Sequence, residues 1–199
     1  MFSSAYQCGF FSLLYSVGSK PLGIWAKQIQ DGKIKRVVDE EIASYVLDVK
    51  GQNPATTFIT CPSDLTKTLG IRLEFLVIVL KNMNTPFSIE IEILDDQKQK
   101  RRIRASTFHK ETVVNPTSCI MPIELDPDWN QIQFNLADFT KRAYNTTYAE
   151  TLRVTIHASC RLRRVYFADR LYNEAELPVE FQLPIVKAKK MRKNNKLVL

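Results

Sequence analysis

An all-β fold is predicted, a single antiparallel, jelly-roll-like β-sandwich with one short α-helix near residues 137–143. Three observations predict it. Apolar and polar residues alternate over many short runs, the period of a half-buried strand. Turn-forming residues recur at intervals of roughly a dozen positions. Only one stretch, Ala137-Asp-Phe-Thr-Lys-Arg-Ala143, carries helix caps at both ends.

Taken in order, Phe10 to Val17 is a candidate first strand, followed by a turn at Gly18-Ser-Lys-Pro21. Leu22 to Gln30 and Lys33 to Val38 flank Asp31-Gly32, a strong two-residue hairpin signal. Tyr45, Leu47 and Val49 alternate with Val46, Asp48 and Lys50, and Gly51-Gln-Asn-Pro54 closes that strand. Thr56 to Thr60 is short and β-branched, and Cys61 to Gly70 reads as loop. Leu73 to Leu80 is apolar on both faces, as a central strand covered on each side must be. Phe87, Ile89, Ile91 and Ile93 alternate with Ser88, Glu90 and Glu92. After Asp95-Asp96, Arg101 to Thr107 returns with Ile103 and Ala105 inward and Arg102 and Arg104 outward. Acidic and basic faces therefore meet across one hairpin, each pair contributing ~0.2–1 kcal/mol.

Thr112 to Met121 is a strand broken by Asn115-Pro116, which marks an edge or a bulge. In Trp129-Asn-Gln-Ile-Gln-Phe-Asn-Leu136, Ile132, Phe134 and Leu136 share a face opposite Gln131, Gln133 and Asn135. Asn135 can cap the helix that follows, with Asp138 in its first turn and Lys141 and Arg142 in its last. Asn145 suits the left-handed stop. Leu152, Val154, Ile156 and Ala158 then alternate with Arg153, Thr155, His157 and Ser159, and a further strand runs through Cys160 to Phe167. Glu174 to Leu177 is at most one helical turn, and Val179 to Val186 is a last extended piece.

The chain has 199 residues, 45% apolar and 25% charged, which permits one substantial core. Its net charge of +7 is a tail property. Six basic residues and no acid lie between Leu183 and Leu199, leaving 22 basic against 21 acidic side chains before them. The organisation expected is a sandwich domain over residues 1–186 and a flexible basic tail over 187–199. Phe75 to Leu80, the longest apolar run, is far short of the ~20 residues of a membrane span. The apolar N-terminal stretch lacks the preceding positive charges of a secretory leader.

Catalytic patterns are sparse. Cys8, Cys61, Cys119 and Cys160 lie far apart, so buried reduced thiols are expected rather than zinc or disulfides. His157 and Cys160 fall on opposite faces of the chain, which argues against a nucleophile pair. Asp126 and Asp128 around Pro127 read as an Asx turn before they read as a cation site. Trp25, Trp129, Tyr144 and Tyr148 could stack on sugars, but such rings are more often core anchors. No cofactor is expected. The arginine sets, Arg101, Arg102 and Arg104 with Arg161, Arg163, Arg164 and Arg170, read either as solvated faces or as patches for an acidic partner.

Longer strings carry a resemblance. They include Gly18-Ser-Lys-Pro-Leu22, Ile59-Thr-Cys-Pro62, Trp129 to Leu136, Arg142-Ala-Tyr144, Glu150-Thr-Leu-Arg-Val154, Arg163-Arg-Val-Tyr-Phe167 and Asp169-Arg-Leu-Tyr172. From Met1 to about Pro184 the chain resembles the cilia- and flagella-associated protein 20 family, departing from its pattern at Ser3, Glu74 and Asn145. The resemblance implies a non-enzymatic structural protein of the axoneme, with the basal body as a further location. Its implied place is the inner junction of doublet microtubules, where the B-tubule closes onto the A-tubule. The implied partners are α- and β-tubulin of both tubules, the parkin co-regulated protein and other junction proteins, and no membrane. Tubulin surfaces are acidic, so Arg101, Arg102, Arg104, Arg161, Arg163, Arg164 and Arg170 are the candidate contacts, assisted by Lys187, Lys189, Lys190, Arg192 and Lys193 of the tail. Arg163 and Arg164 point to opposite faces unless a bulge intervenes. The alternative is a nucleic-acid-associated β-sandwich module, with Tyr166 and Phe167 stacking bases. The near-neutral body weighs against it.

Overall fold

The structure is a computed structural model and describes residues 1–183 and 193–194. The first strands are β1 (Phe10–Tyr15), β2 (Ala26–Ile29), β3 (Gly32–Asp39), β4 (Ser44–Gly51) and β5 (Thr57–Cys61). Next come β6 (Phe75–Asn82), β7 (Ser88–Asp95), β8 (Lys100–Ser106), β9 (Val113–Val114) and β10 (Ser118–Pro122). After β11 (Asp128–Asn135) the helix α1 (Leu136–Tyr144) leads to β12 (Tyr148–His157) and β13 (Cys160–Ala168), and β14 is the pair Lys193–Asn194.

Two sheets face each other. One has the order β14-β11-β6-β13-β4-β3, and the other β2-β5-β12-β7-β8-β10-β9. Pairing is antiparallel except between β8 and β10 and between β11 and β14. In the first sheet β13 is the organising strand. Along one flank it pairs with β6 from Cys160 to Ala168. Its other flank is shared: β4 takes Cys160 to Leu162, and β1 takes Arg164 to Ala168. The N-terminal apolar segment thus docks on its own sandwich.

The alternating runs supply the core. Leu47, Val49, Ile78, Leu80, Ile132, Phe134, Leu162 and Phe167 meet Ile59, Ile89, Ile91, Ile93, Ile103, Val154 and Ile156. All are essentially buried, each contributing about 1.5–3 kcal/mol relative to exposure. The two-sided apolarity of β6 has its explanation on the sheet's outer face. There Val79 packs with Ile42, Val46, Trp129 and Leu183, and Val77 with Tyr166, Phe10, Tyr172 and Phe181. Helix α1 bridges the sheets between β11 and β12. The Asn135 side chain accepts from the Asp138 N–H at 3.0 Å, and Asn145 stops the helix at φ 53°.

Three expectations change. Asp31-Gly32 does not make a hairpin: β2 joins the second sheet beside β5, while β3 joins the first beside β4. The dipeptide is a corner between layers. A Cβ on Gly32 would lie 2.1 Å from the Lys50 carbonyl oxygen, so close backbone approach demands glycine there. Val179–Phe181 is a 3₁₀ turn rather than an extended piece, and the expected continuation to Val186 lies outside the described residues. Cys8 is exposed, although Cys61, Cys119 and Cys160 are buried as expected.

Candidate interaction surfaces

Apart from Arg101, the candidate arginines divide between the two outer faces of the sandwich. On the second sheet, β7 and β8 pair Glu90 with Arg104 and Glu92 with Arg102. Arg102 Nη2 lies 3.2 Å from Glu92 Oε1, and Arg104 Nη1 3.6 Å from Glu90 Oε1. His157 Nε2 on β12 stands 3.6 Å from the same Glu90 oxygen. His157 above all, with Arg104 and Arg102, holds the Glu90 carboxyl below its usual range against the opposing effect of burial. Arg102 keeps a side chain 58% exposed. Arg101 does not: it donates to Asp95 Oδ2 at 2.8 and 3.0 Å and to the Pro116 carbonyl, and lies 4.5 Å over the Tyr144 ring.

On the first sheet, Arg161 donates to Asp39 at 2.8 Å and to Asp48 at 3.2 Å, and Lys81 approaches Asp39 at 3.3 Å. Burial alone would raise the Asp39 carboxyl, but hydrogen bonds from Arg161 and Lys81 outweigh it and hold it low. Arg163 and Arg164 are 7% and 3% exposed, which corrects the expectation that they line the surface. The register shift between Leu162 and Arg164 makes Arg163 the extra residue of a bulge. Leu162 and Val165 both stay in the core, and both guanidinium groups reach the Tyr15 ring, at 5.1 and 3.9 Å. Arg164 is also stacked 3.8 Å from the Phe181 ring and donates to the Glu180 carbonyl at 2.6 Å. Neither has a carboxylate within 4 Å among the described residues, and burial lowers both pKa values. Arg170, beside this face, bonds Glu176 at 2.8 Å and covers Tyr172. Lys187, Lys189, Lys190 and Arg192 lie outside the described residues, and Lys193 is described only as backbone in β14.

The cysteines, histidine, aspartates and aromatic rings with catalytic or binding potential are used structurally. Cys160 Sγ is 3.8 Å from the His157 carbonyl oxygen, while His157 Nδ1 sits 2.8 Å from the Pro54 oxygen. Burial pushes the Cys61 thiol up to about 12 and raises Cys119 and Cys160 as well, the reverse of what a nucleophile needs. At Asp126 and Asp128 the Asn130 amide takes both backbone carbonyls, at 2.9 and 3.0 Å. Trp25, Trp129 and Tyr148 are buried, so they form no stacking platform. Trp25 Nε1 donates to the Leu13 carbonyl, and the Tyr148 hydroxyl to that of Ile71. An open recess of about 440 Å³, lined by Ser4, Ala5, Tyr6, Gln7, Arg72 and Leu73, has no acid, histidine or thiol in its wall. No group of three or more His, Cys, Asp or Glu suited to a metal occurs among the described residues.

Among the described residues the fold carries charged side chains on both outer faces and no convergent reactive centre, and a family match covers nearly the whole of it. Residues 1–185 match the CFA20 domain. The chain belongs to the CFA20 domain family. It is 59% identical over 190 residues to Cilia- and flagella-associated protein 20 of Chlamydomonas reinhardtii, covering 94% of this chain and 100% of that one. The protein of the same name from Caenorhabditis elegans is 60% identical, with 92% and 90% covered. The one from Paramecium tetraurelia is 57% identical, with 92% and 96% covered. The CFA20 family is thus a cilia- and flagella-associated one. Among solved structures, the chain is similar to a family 11 carbohydrate-binding module from Clostridium thermocellum in complex with a tetrasaccharide. The TM-score is 0.43 at 8% identity, over 84% of this chain and 100% of that one, and a likeness so distant carries no functional argument.

Sequence reasoning missed the groups that hold the arginines. Tyr15 and Asp39 show no local signal for that role, since each acts across a long chain separation, whereas Asp95 holds Arg101 from only six residues away across the β7–β8 turn. The one hint was the Arg163-Arg164 repeat in an otherwise alternating strand.

Proposed function

We propose that this protein is a non-enzymatic structural component of the ciliary and flagellar axoneme, joining the B-tubule to the A-tubule at the inner junction of doublet microtubules. It binds tubulin there and neighbouring junction proteins, including the parkin co-regulated protein. Beyond family membership, the supporting observation is the division of the candidate arginines between opposite faces of a two-layer body. A joining piece needs two surfaces held at a fixed separation. A sandwich provides that, because its faces are set by ladder hydrogen bonds and a packed core rather than by loops.

The internal contacts rank the candidates. Arg102 and Arg170, with side chains 58% and 56% exposed, pair with solvent-accessible carboxylates, those of Glu92 and Glu176, that an acidic tubulin surface can replace. Arg101, Arg163 and Arg164 shape those faces from within. Co-sedimentation of the purified chain with polymerised tubulin tests the reading. Binding is expected at physiological ionic strength, weakened by Arg102→Glu and by added salt, since exposed charges are screened beyond ~8 Å. A chain that stays in the supernatant with microtubules in excess would refute the tubulin contact.

A further inference from the structure

Strand β3 ends its sheet, pairing with β4 along its whole length and with nothing on its other side among the described residues. At eight residues it is longer than the two-residue β9 and four-residue β2 that bound the other sheet. Its ladder is regular, with no register shift from Gly32↔Gly51 to Asp39↔Ser44. The Gln52 N–H donates to the Asp31 carbonyl just beyond it, which sets the phase. Antiparallel pairs alternate between bonded and non-bonded residues. Lys33, Lys35 and Val37 therefore direct their backbone groups to β4, and Ile34, Arg36 and Val38 direct theirs to the open edge.

The chemistry of this edge is specific. Between Gly32 and Val38 there are three cations, Lys33, Lys35 and Arg36, and no acid. Asp48, opposite Lys35, is already taken by Arg161 at 3.2 Å. Arg36 is fixed rather than free, stacked 4.1 Å from the Tyr45 ring and donating to the Gly18 carbonyl at 3.2 Å. Beside it, Val38 and Tyr45 are 56% and 46% exposed. Lysine on an edge commonly serves to repel a second copy. Here that repulsion selects a partner, because another β3 is equally basic whereas an acidic strand is attracted.

The geometry points to β3 as a docking edge for an extended acidic segment of another protein, which adds to the sheet as a further strand. Its backbone bonds Ile34, Arg36 and Val38, its carboxylates meet Lys33 and Lys35 on one face, and its other side chains lie against Arg36, Val38 and Tyr45 on the opposite face. The inference goes beyond the junction reading and does not rest on it.

Amide hydrogen exchange on the full chain tests it, with a short synthetic peptide of alternating glutamate and threonine as probe. Exchange at Ile34, Arg36 and Val38 is expected to slow about tenfold or more, while that of β2 and β9 is unchanged. A lysine–threonine peptide should give no protection. Val38→Pro removes one outward N–H without touching the ladder to β4 and should abolish protection in a folded chain; Lys35→Glu with Arg36→Glu should do the same. Equal protection by the basic peptide, protection by single-stranded oligonucleotide in place of the acidic peptide, or no protection by any probe would overturn the assignment.

Discussion

Arg161 and Arg164 lie on one strand and face the same side, yet their electrostatic settings are opposite. Arg161 meets two carboxylates, one of them the fully buried Asp39, whereas Arg164 is enclosed by two aromatic rings and a carbonyl. Removing one partner of a buried pair leaves the other charge uncompensated, whereas an unpaired buried cation carries a desolvation cost that an apolar group of similar volume does not. Arg161→Met should therefore lower unfolding stability by about 1–3 kcal/mol and Arg164→Met by less than about 1 kcal/mol in urea titrations. The reverse order would contradict the assignment. Asp95 belongs to the same class: burial would raise its carboxyl, but the Gln99 N–H and the Arg101 guanidinium hold it below the ordinary 3.8. Since the folded values of Asp39 and Asp95 are depressed, their contribution is complete above the unfolded value and is lost as pH falls through the lower folded one. Thermal stability should be level from neutral pH to about 5 and fall below about 4. Asp95→Asn should be less stable at neutral pH and lose less on acidification.

At the level of elements, local signals were legible and long-range ones were not. The alternation of Phe87 to Ile93, the two-sided run at β6 and the asparagine caps of α1 each depend on a few neighbouring residues, so pattern and physics coincide. Asp31-Gly32 misled because a turn dipeptide gives the direction change and not the destination; here the next strand goes to the other sheet. Arginine burial was illegible for a related reason, since Asp39 lies 122 positions from Arg161 and the bulge that turns Arg163 and Arg164 toward Tyr15 depends on two flanking strands. Close approach at the corner makes Gly32 the sharpest test of this topology. Gly32→Ala should cost ~2–4 kcal/mol by forcing β3 from β4, because the obstructing Lys50 oxygen is backbone and cannot swing aside. A simple two-residue hairpin would lose only the ~1 kcal/mol of a left-handed alanine, and a loss that small would argue for one.

Over the whole molecule, charge is ordered by face. The glutamates of β7 neutralise the arginines of β8 across one outer face, and the acids of β3 and β4 hold Arg161 on the other. Arg102, Arg170 and the β3 edge nonetheless keep exposed cationic side chains, on a body whose core fixes the distance between them. The proposed junction role asks such an object to act by position rather than by turnover. Cryo-electron microscopy of doublet microtubules from cilia tests that claim most directly. Density for this sandwich is expected at the inner junction, one sheet's outer face toward the A-tubule and the other toward the B-tubule. Doublets in which the seam closes without it, or in which it touches tubulin through one face only, would contradict the account.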